Sequence, residues 1–245
     1  MVAPSASGLT LPFATPLVLA RFVRRYKRFL VEAENSTGRF TVHTNNTGSM
    51  LGLLRPGAVI ALSVSDNPKR RLAHTLEMVR IPDFRGDFWA GVNTLTPNRL
   101  FRRAFLAGAF PELAGYDAIR PEPPFAGGRL DFVLTGPAGT CFVECKNVTL
   151  VEDGAAVFPD AATERGRKHL VELARLAREG TARAALYFCV QRPDGACFAP
   201  AMMIDPEYAA LLAEAVTAGV LILPYRAGVS PTGITLAGRL PLGRW

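Results

Sequence analysis

The spacing of apolar and polar positions divides the chain into two territories. Between residues 17 and 81, short alternating stretches recur between turn signals, the pattern of strands buried on one face. Residues 17–34, LVLARFVRRYKRFLVEAE, read as one long strand or a bent pair, with further strands at 39–44, 58–64 and 76–81. The loops between them are Asn35-Ser36-Thr37-Gly38, Asn45-Asn46-Thr47-Gly48, Arg55-Pro56-Gly57 and Asp66-Asn67-Pro68-Lys69-Arg70-Arg71, with a positive φ expected at Gly48. About five short strands so spaced predict a small barrel. Residues 1–14 read as a loose tail.

Beyond residue 93 helical periods enter. Thr96-Pro97 predicts a helix start, with threonine as N-cap and proline in the first turn. Arg99, Arg102 and Arg103 then share one face and Leu100, Phe101, Ala104 and Phe105 the other, with Gly108 closing the helix. A second helix follows Thr163 as far as Gly180, with Leu170, Leu173, Leu176 and Ala177 as its apolar stripe. A third covers 207–218, capped by Asp205-Pro206 and ended by Gly219. The apolar runs 181–191 and 220–225 are buried strands by length. Strand-helix-strand-helix-strand implies a largely parallel sheet edge. The tail beyond Arg226 carries little pattern.

The most informative stretch is GRLDFVLTGPAGTCFVECKNV, residues 128–148. Two strands flank a Gly/Pro turn, a hairpin signal. If Leu134 pairs with Cys141, Asp131 stands opposite Glu144, with Cβ atoms roughly 5 Å apart. Alternation places Lys146 on the Glu144 face and Cys141, Val143 and Cys145 on the other. Two carboxylates so placed repel. The arrangement makes sense if a cation sits between them or if one stays protonated. Carboxylate oxygens beside an amine suit Mg²⁺, which keeps several waters in its shell. The plainer reading is an i,i+2 ion pair of Glu144 and Lys146 on a solvent-facing strand. Glu122, just upstream, is a candidate third acid.

These residues carry a resemblance. Asp131…Glu144-Cys145-Lys146 resembles the PD-(D/E)XK nuclease signature, with Leu130 in place of its proline. Nearly the whole chain resembles the sugar fermentation stimulation protein A (SfsA) family. The matching blocks are Arg25-Tyr26-Lys27-Arg28-Phe29-Leu30, Asn46-Thr47-Gly48-Ser49-Met50, Ser65-Asp66-Asn67-Pro68-Lys69-Arg70, Val92-Asn93-Thr94 with Asn98-Arg99-Leu100, Phe158-Pro159-Asp160-Ala161, Thr163-Glu164-Arg165-Gly166 and Lys168-His169-Leu170. The resemblance implies an OB-fold-like barrel, residues 15–92, followed by a mixed-sheet α/β restriction-endonuclease-like domain, 93–245. It also implies DNA binding and a nuclease-like site: Asp131, Glu144 and the Cys145 backbone as metal ligands for Mg²⁺ or Mn²⁺, and Asp131, Glu144 and Lys146 as catalytic residues. A DNA-binding regulator of sugar metabolism genes with a silent site serves the same blocks.

Composition sharpens the partner. The formal net charge is +7 over 245 residues and the pI about 9.6, which suits a polyanion. Nucleic acid is expected, DNA first, single-stranded or duplex; a carbohydrate-binding barrel is disfavoured by the charge. Basic and aromatic residues interleave at Arg21, Arg24, Arg25, Tyr26, Lys27 and Arg28, and bases cluster at Lys69 and Arg70. At the second helix start, Arg165, Arg167, Lys168 and His169 oppose the helix dipole, which a bound phosphate would explain; Arg165 and Lys168 join the candidate contacts. The single histidines His43 and His74 are read as structural or exposed. Four cysteines without metal spacing, 49% hydrophobic content and no long apolar run point to a cytoplasmic, folded protein without a membrane span. A homodimer is a candidate assembly.

Overall fold

The computed structural model describes residues 9–125 and 128–244. The first territory closes into a barrel of five strands, Val18–Tyr26, Leu30–Asn35, Gly38–His43, Val59–Val64 and His74–Ile81, with Phe88–Gly91 added on its edge. Neighbours are antiparallel except at closure, where His43 meets Thr75 in parallel. Alternating residues such as Phe22, Val31, Val42, Ile60 and Leu76 fill the interior. Residues 17–34 are thus the bent pair. The bend is unusual: Lys27 and Arg28 both take positive φ, 48° and 61°. Non-glycine residues rarely do so.

The second territory is a seven-stranded sheet in the order Thr10–Pro12, Gly233–Arg239, Leu221–Ser230, Arg183–Val190, Gly139–Val148, Phe132–Gly136, Ala118–Pro121. The three central strands, from Gly139 to Ser230, run parallel, and antiparallel strands border them on both sides. One face packs on helix α1 (Thr96–Leu106) through Phe101, Phe110, Tyr187 and Tyr225. The other packs on α2 (Glu164–Glu179) and α3 (Pro206–Thr217) through Leu170, Leu173, Phe188 and Leu212. This is the expected arrangement of a barrel followed by a mixed-sheet α/β domain.

Three local expectations change. The tail is not loose over Thr10–Pro12, which forms the edge strand on Gly233–Arg239. That pairing also orders the stretch after Arg226, where alternation was too weak to see. The cap of α1 is Leu95, with no side-chain cap of its own; Asn93 Oδ1 instead accepts from the Leu95 N–H at 2.9 Å, and Thr96 is inside the helix. A small sheet of Leu150–Glu152, Ala155–Phe158 and Cys197–Pro200 lies beside the main one. Its strands of three or four residues are too short to give a periodic signal.

The two territories are joined by close backbone contacts. The Gly91 N–H donates to Gln191 O at 3.0 Å, and a Cβ at Gly91 would stand 2.2 Å from Gln191 Oε1. Across the second junction, Met50 N donates to Asp160 Oδ2 (2.8 Å) and Ser49 Oγ to Asp160 O (2.6 Å). At Gly48 the expected freedom serves this approach rather than a positive φ: a Cβ there would lie 2.8 Å from Asp160 Oδ1.

Candidate functional site

The hairpin register is the one the pattern predicts, Leu134 on Cys141, with Gly139 at φ 93° turning the chain. Ladder pairing ends at Phe132 and Val143. Asp131 and Glu144 are therefore the first residues past the end of the ladder, and their side chains are held by other means. Asp131 Oδ2 accepts the Cys145 N–H at 2.7 Å, and Oδ1 accepts Asn98 Nδ2 from α1 at 2.7 Å. Glu144 is 3% exposed. Its Oε1 accepts Lys146 Nζ at 2.6 Å and also meets Nδ1 of His169 on α2. Its Oε2 is buried with no donor among the described residues.

The ion pair of Glu144 and Lys146 is thus real, but it does not lie on a solvent-facing strand. The electrostatics of the two acids diverge. Burial, then the charge of Glu144, push the Asp131 carboxyl above its usual range, against the Cys145 N–H, Asn98 and Lys146. Burial would raise Glu144 as well, but the Lys146 ammonium and the His169 contact carry it below the usual range. Glu122 is not part of this group in side-chain terms. Its carboxylate pairs with Arg129 at 2.9 Å in an exposed position, while its N–H donates to Asp131 O.

The donor set fits a hard divalent cation. A buried carboxylate oxygen without a partner is costly to leave so, and Glu144 Oε2 is one. Two carboxylates and a main-chain carbonyl at Cys145 are the oxygen ligands that Mg²⁺ or Mn²⁺ takes. Among the described residues no group of three or more His, Cys, Asp or Glu side chains surrounds a common point. Water and substrate would complete such a shell, as is usual for Mg²⁺.

The predicted nucleic-acid contacts divide. Arg28 and Arg165 line one cleft of about 450 Å³ between the domains, beside Cys145 and Lys146. Arg25 does not face a partner: its guanidinium donates to the carbonyls of Arg28 (2.9 Å), Gly48 (2.7 Å) and Asn46 (2.8 Å) and so holds the loop that meets Asp160. Arg24 pairs with Glu32, and Tyr26 bonds Thr41 at 3.2 Å. Arg21 donates to Gly57 O, Arg70 donates to Thr75 Oγ1, and Lys27 and Lys69 stay exposed on the barrel. Lys168 pairs with Glu164. At the basic start of α2 only Arg165 is left without a partner among the described residues: Arg167 bonds buried Asp205 and exposed Glu207, and His169 turns in to Glu144.

Two residues of the site escaped the sequence reading, Asn98 and His169. His169 had a usable signal. It falls on the same face of α2 as Leu173 and Leu176, and a buried imidazole on an apolar stripe requires a partner. Asn98 had none, since its contact spans 33 residues between a helix and a strand end.

The comparisons agree along the chain. Residues 23–92 match the model of the SfsA N-terminal OB domain, and residues 95–233 match that of the sugar fermentation stimulation protein RE domain. The sugar fermentation stimulation protein homolog of Syntrophobacter fumaroxidans is 54% identical, over 98% of this chain and 91% of that protein. The homolog of Geobacter sulfurreducens is 51% identical over 93% and 96%. Among solved structures, that of Pyrococcus furiosus SfsA in complex with Ca²⁺ superposes with a TM-score of 0.87 at 28% identity, covering 96% of this chain and 99% of the other.

Proposed function

Because the chain belongs to the sugar fermentation stimulation protein family, we propose that it binds nucleic acid, DNA first, and hydrolyses phosphodiester bonds with Mg²⁺ or Mn²⁺ at Asp131, Glu144 and Lys146. The observation that carries this reading is Glu144 Oε2, a buried carboxylate oxygen with no donor among the described residues, next to a second buried acid. A relative described in complex with Ca²⁺, another oxygen-seeking ion, supports it. Four free cysteines and no described helix long and apolar enough to cross a membrane are compatible with a cytoplasmic setting.

Asp131, Glu144 and the Cys145 carbonyl would hold the ion. A divalent ion held there lowers the pKa of a bound water and offsets negative charge on the phosphoryl group. Asn98 and the Cys145 N–H fix the Asp131 carboxylate, and His169 fixes Glu144 from the far side. Lys146, tied to Glu144 and lining the cleft, presents a cation to the charge that grows on the phosphoryl oxygens. Arg28 and Arg165 attract the strand into the same cleft.

The test is incubation with single-stranded DNA, duplex DNA and RNA, in Mg²⁺, Mn²⁺, Ca²⁺ or EDTA, beside Asp131→Ala and Glu144→Ala. Cleavage that needs Mg²⁺ or Mn²⁺ and disappears in both variants is expected. Binding that survives in all three proteins, with no substrate cut under any condition, would replace the hydrolase with a regulator whose nuclease-like site is silent.

A further inference from the structure

The cleft has three kinds of wall. Its apolar lining is Pro97, from α1, and Phe158 and Pro159, with the Phe158 ring backed by Phe188 and Tyr208. Asn147 and Thr149 form its inner polar part: Thr149 is buried, and Asn147 Nδ2 is buried without an acceptor among the described residues. Asn147 Oδ1 is occupied, accepting Gln191 Nε2 at 2.5 Å, so the amide is held in place while its N–H₂ is left over. At the outer edge stand Arg28 from the barrel and Arg165 from α2, both exposed. Among the described residues neither guanidinium forms an ion pair or hydrogen bond. Several other arginines of the fold are neutralised internally, Arg24 by Glu32, Arg80 by Asp87, Arg167 by Asp205 and Arg192 by Asp194, though not all are.

Apolar lining at Phe158 and Pro159, an unfilled amide donor and two free guanidinia match the parts of a nucleotide. These are a ring face that packs on apolar or aromatic surface, acceptors at the base edge, and a phosphate that arginine grips. The volume is that of a pocket for one small molecule, at the lower end of the roughly 300–1,000 Å³ such sites occupy. A cleft of about 450 Å³ has room for one nucleotide and not for a paired segment. The walls are also fixed in advance. The Gly91–Gln191 and Met50–Asp160 contacts tie the domains on either side of the cleft, so little ordering is left for binding to do.

We propose that the interdomain cleft takes one unpaired nucleotide. Its base lies against Phe158 and Pro159, its edge is read by Asn147, and its phosphate sits between Arg28 and Arg165. A strand must therefore be single where it enters. The placing of the scissile bond rests on the hydrolase reading above, because Lys146 lines this cleft and precedes Asn147 on the strand. The pocket itself is tested by binding alone.

The experiment is fluorescence anisotropy in EDTA with an end-labelled single-stranded DNA oligonucleotide and the blunt duplex of the same length. Adenosine 5′-monophosphate and inorganic phosphate serve as competitors. Single strand is expected to bind about tenfold more tightly than duplex, a difference of about 1.4 kcal/mol. Adenosine monophosphate should displace it well below the phosphate concentration that does so. Asn147→Ala and Arg165→Gln should each weaken single-strand binding several-fold and abolish that advantage. Arg178→Gln, an exposed charge elsewhere on α2, should change nothing. Arg165 is a surface position, so its variant keeps the fold if Asn147→Ala does not. Equal binding of duplex and single strand, equal competition by phosphate and nucleotide, or wild-type behaviour of both pocket variants would each overturn the proposal. If the binding pattern holds but nothing is cut, the hydrolase reading falls alone. If single strand and blunt duplex are cut at equal rates by wild type and by both variants, the pocket falls alone.

Discussion

The strand Gly139–Val148 has two faces that live in different media. Toward α1 it presents Cys141, Val143 and Cys145 to a stack of aromatic rings, with Phe101 and Phe110 centroids 5.0 Å apart and Phe110 edge-on to Tyr225 at 5.0 Å. Burial there pushes the Cys141 thiol up to about 12 and Cys145 well above its usual value, so neither is a nucleophile. Toward α2 the same strand carries Glu144 and Lys146, buried or nearly so but charged. On the proposed reading, the contrast accounts for a site at the strand's end. A carboxylate cluster needs burial to bind an ion firmly, and it also needs an opening. The dry face supplies the rigidity and the split at the end of the ladder supplies the opening.

Changes on the two faces should separate cleanly. On the proposed hydrolase reading the largest effect expected is on chemistry: Lys146→Met should lower cleavage about 10²–10³-fold while single-strand affinity shifts far less, read by parallel rate and binding assays. On the dry face, Phe110→Ala should cost about 3–5 kcal/mol of stability by chemical denaturation. Below its melting range that variant should still cleave at near the normal rate; a collapse of cleavage in the folded variant would mean the faces are not independent. Removing the link from α2 is intermediate. His169→Ala takes away one partner of a buried carboxylate, at about 1–3 kcal/mol, and should weaken divalent-ion affinity about 10–100-fold by calorimetry. His169→Gln, which can still donate, should recover part of both.

The smallest effect is a slope. Asp131 has a raised carboxyl, so its contribution to stability is complete below the ordinary aspartate range and is lost as pH rises through its own value. Glu144 is lowered, so its contribution is present above the ordinary glutamate range and lost as pH falls through its own value. In EDTA the Asp131 gain comes first on acidification and the Glu144 loss follows, so the two oppose each other around the ordinary carboxylate range of about pH 4. Asp131→Ala removes the cancelling member, so its melting temperature should fall more steeply with acid than that of the wild type. A shallower fall would contradict the opposite signs.

Much of this was legible because it is local. The Leu134–Cys141 register follows from a four-residue turn and strict alternation, and the Asp205-Pro206 cap of α3 and the αL glycine after α2 are written within a few residues. What was hidden is what folding brings together from a distance. Arg25 reads as a free base until the loop from Asn46 to Gly48 closes over it. Arg167 reads as a charge opposing its helix until Asp205, 38 residues on, reaches it. Charge counts on a sequence therefore overstate the cations offered to a partner, and pairing separates Arg28 and Arg165 from neighbours such as Arg24, Arg25 and Arg167. Thr10–Pro12 was missed for a related reason: three residues have no period, and their partner lies beyond residue 230.

That short strand has a bearing on biogenesis. During translation Thr10–Pro12 emerges ahead of the barrel, yet the strand it pairs with, Gly233–Arg239, is made only after α3. At about 5–20 residues per second, the ribosome releases a barrel whose pairings all lie within residues 18–91 well before the α/β sheet has its last strands. The leading segment must wait unpaired through that interval. Completion of the sheet then ties the two ends of the described chain into one edge of the α/β domain, a seam that closes late.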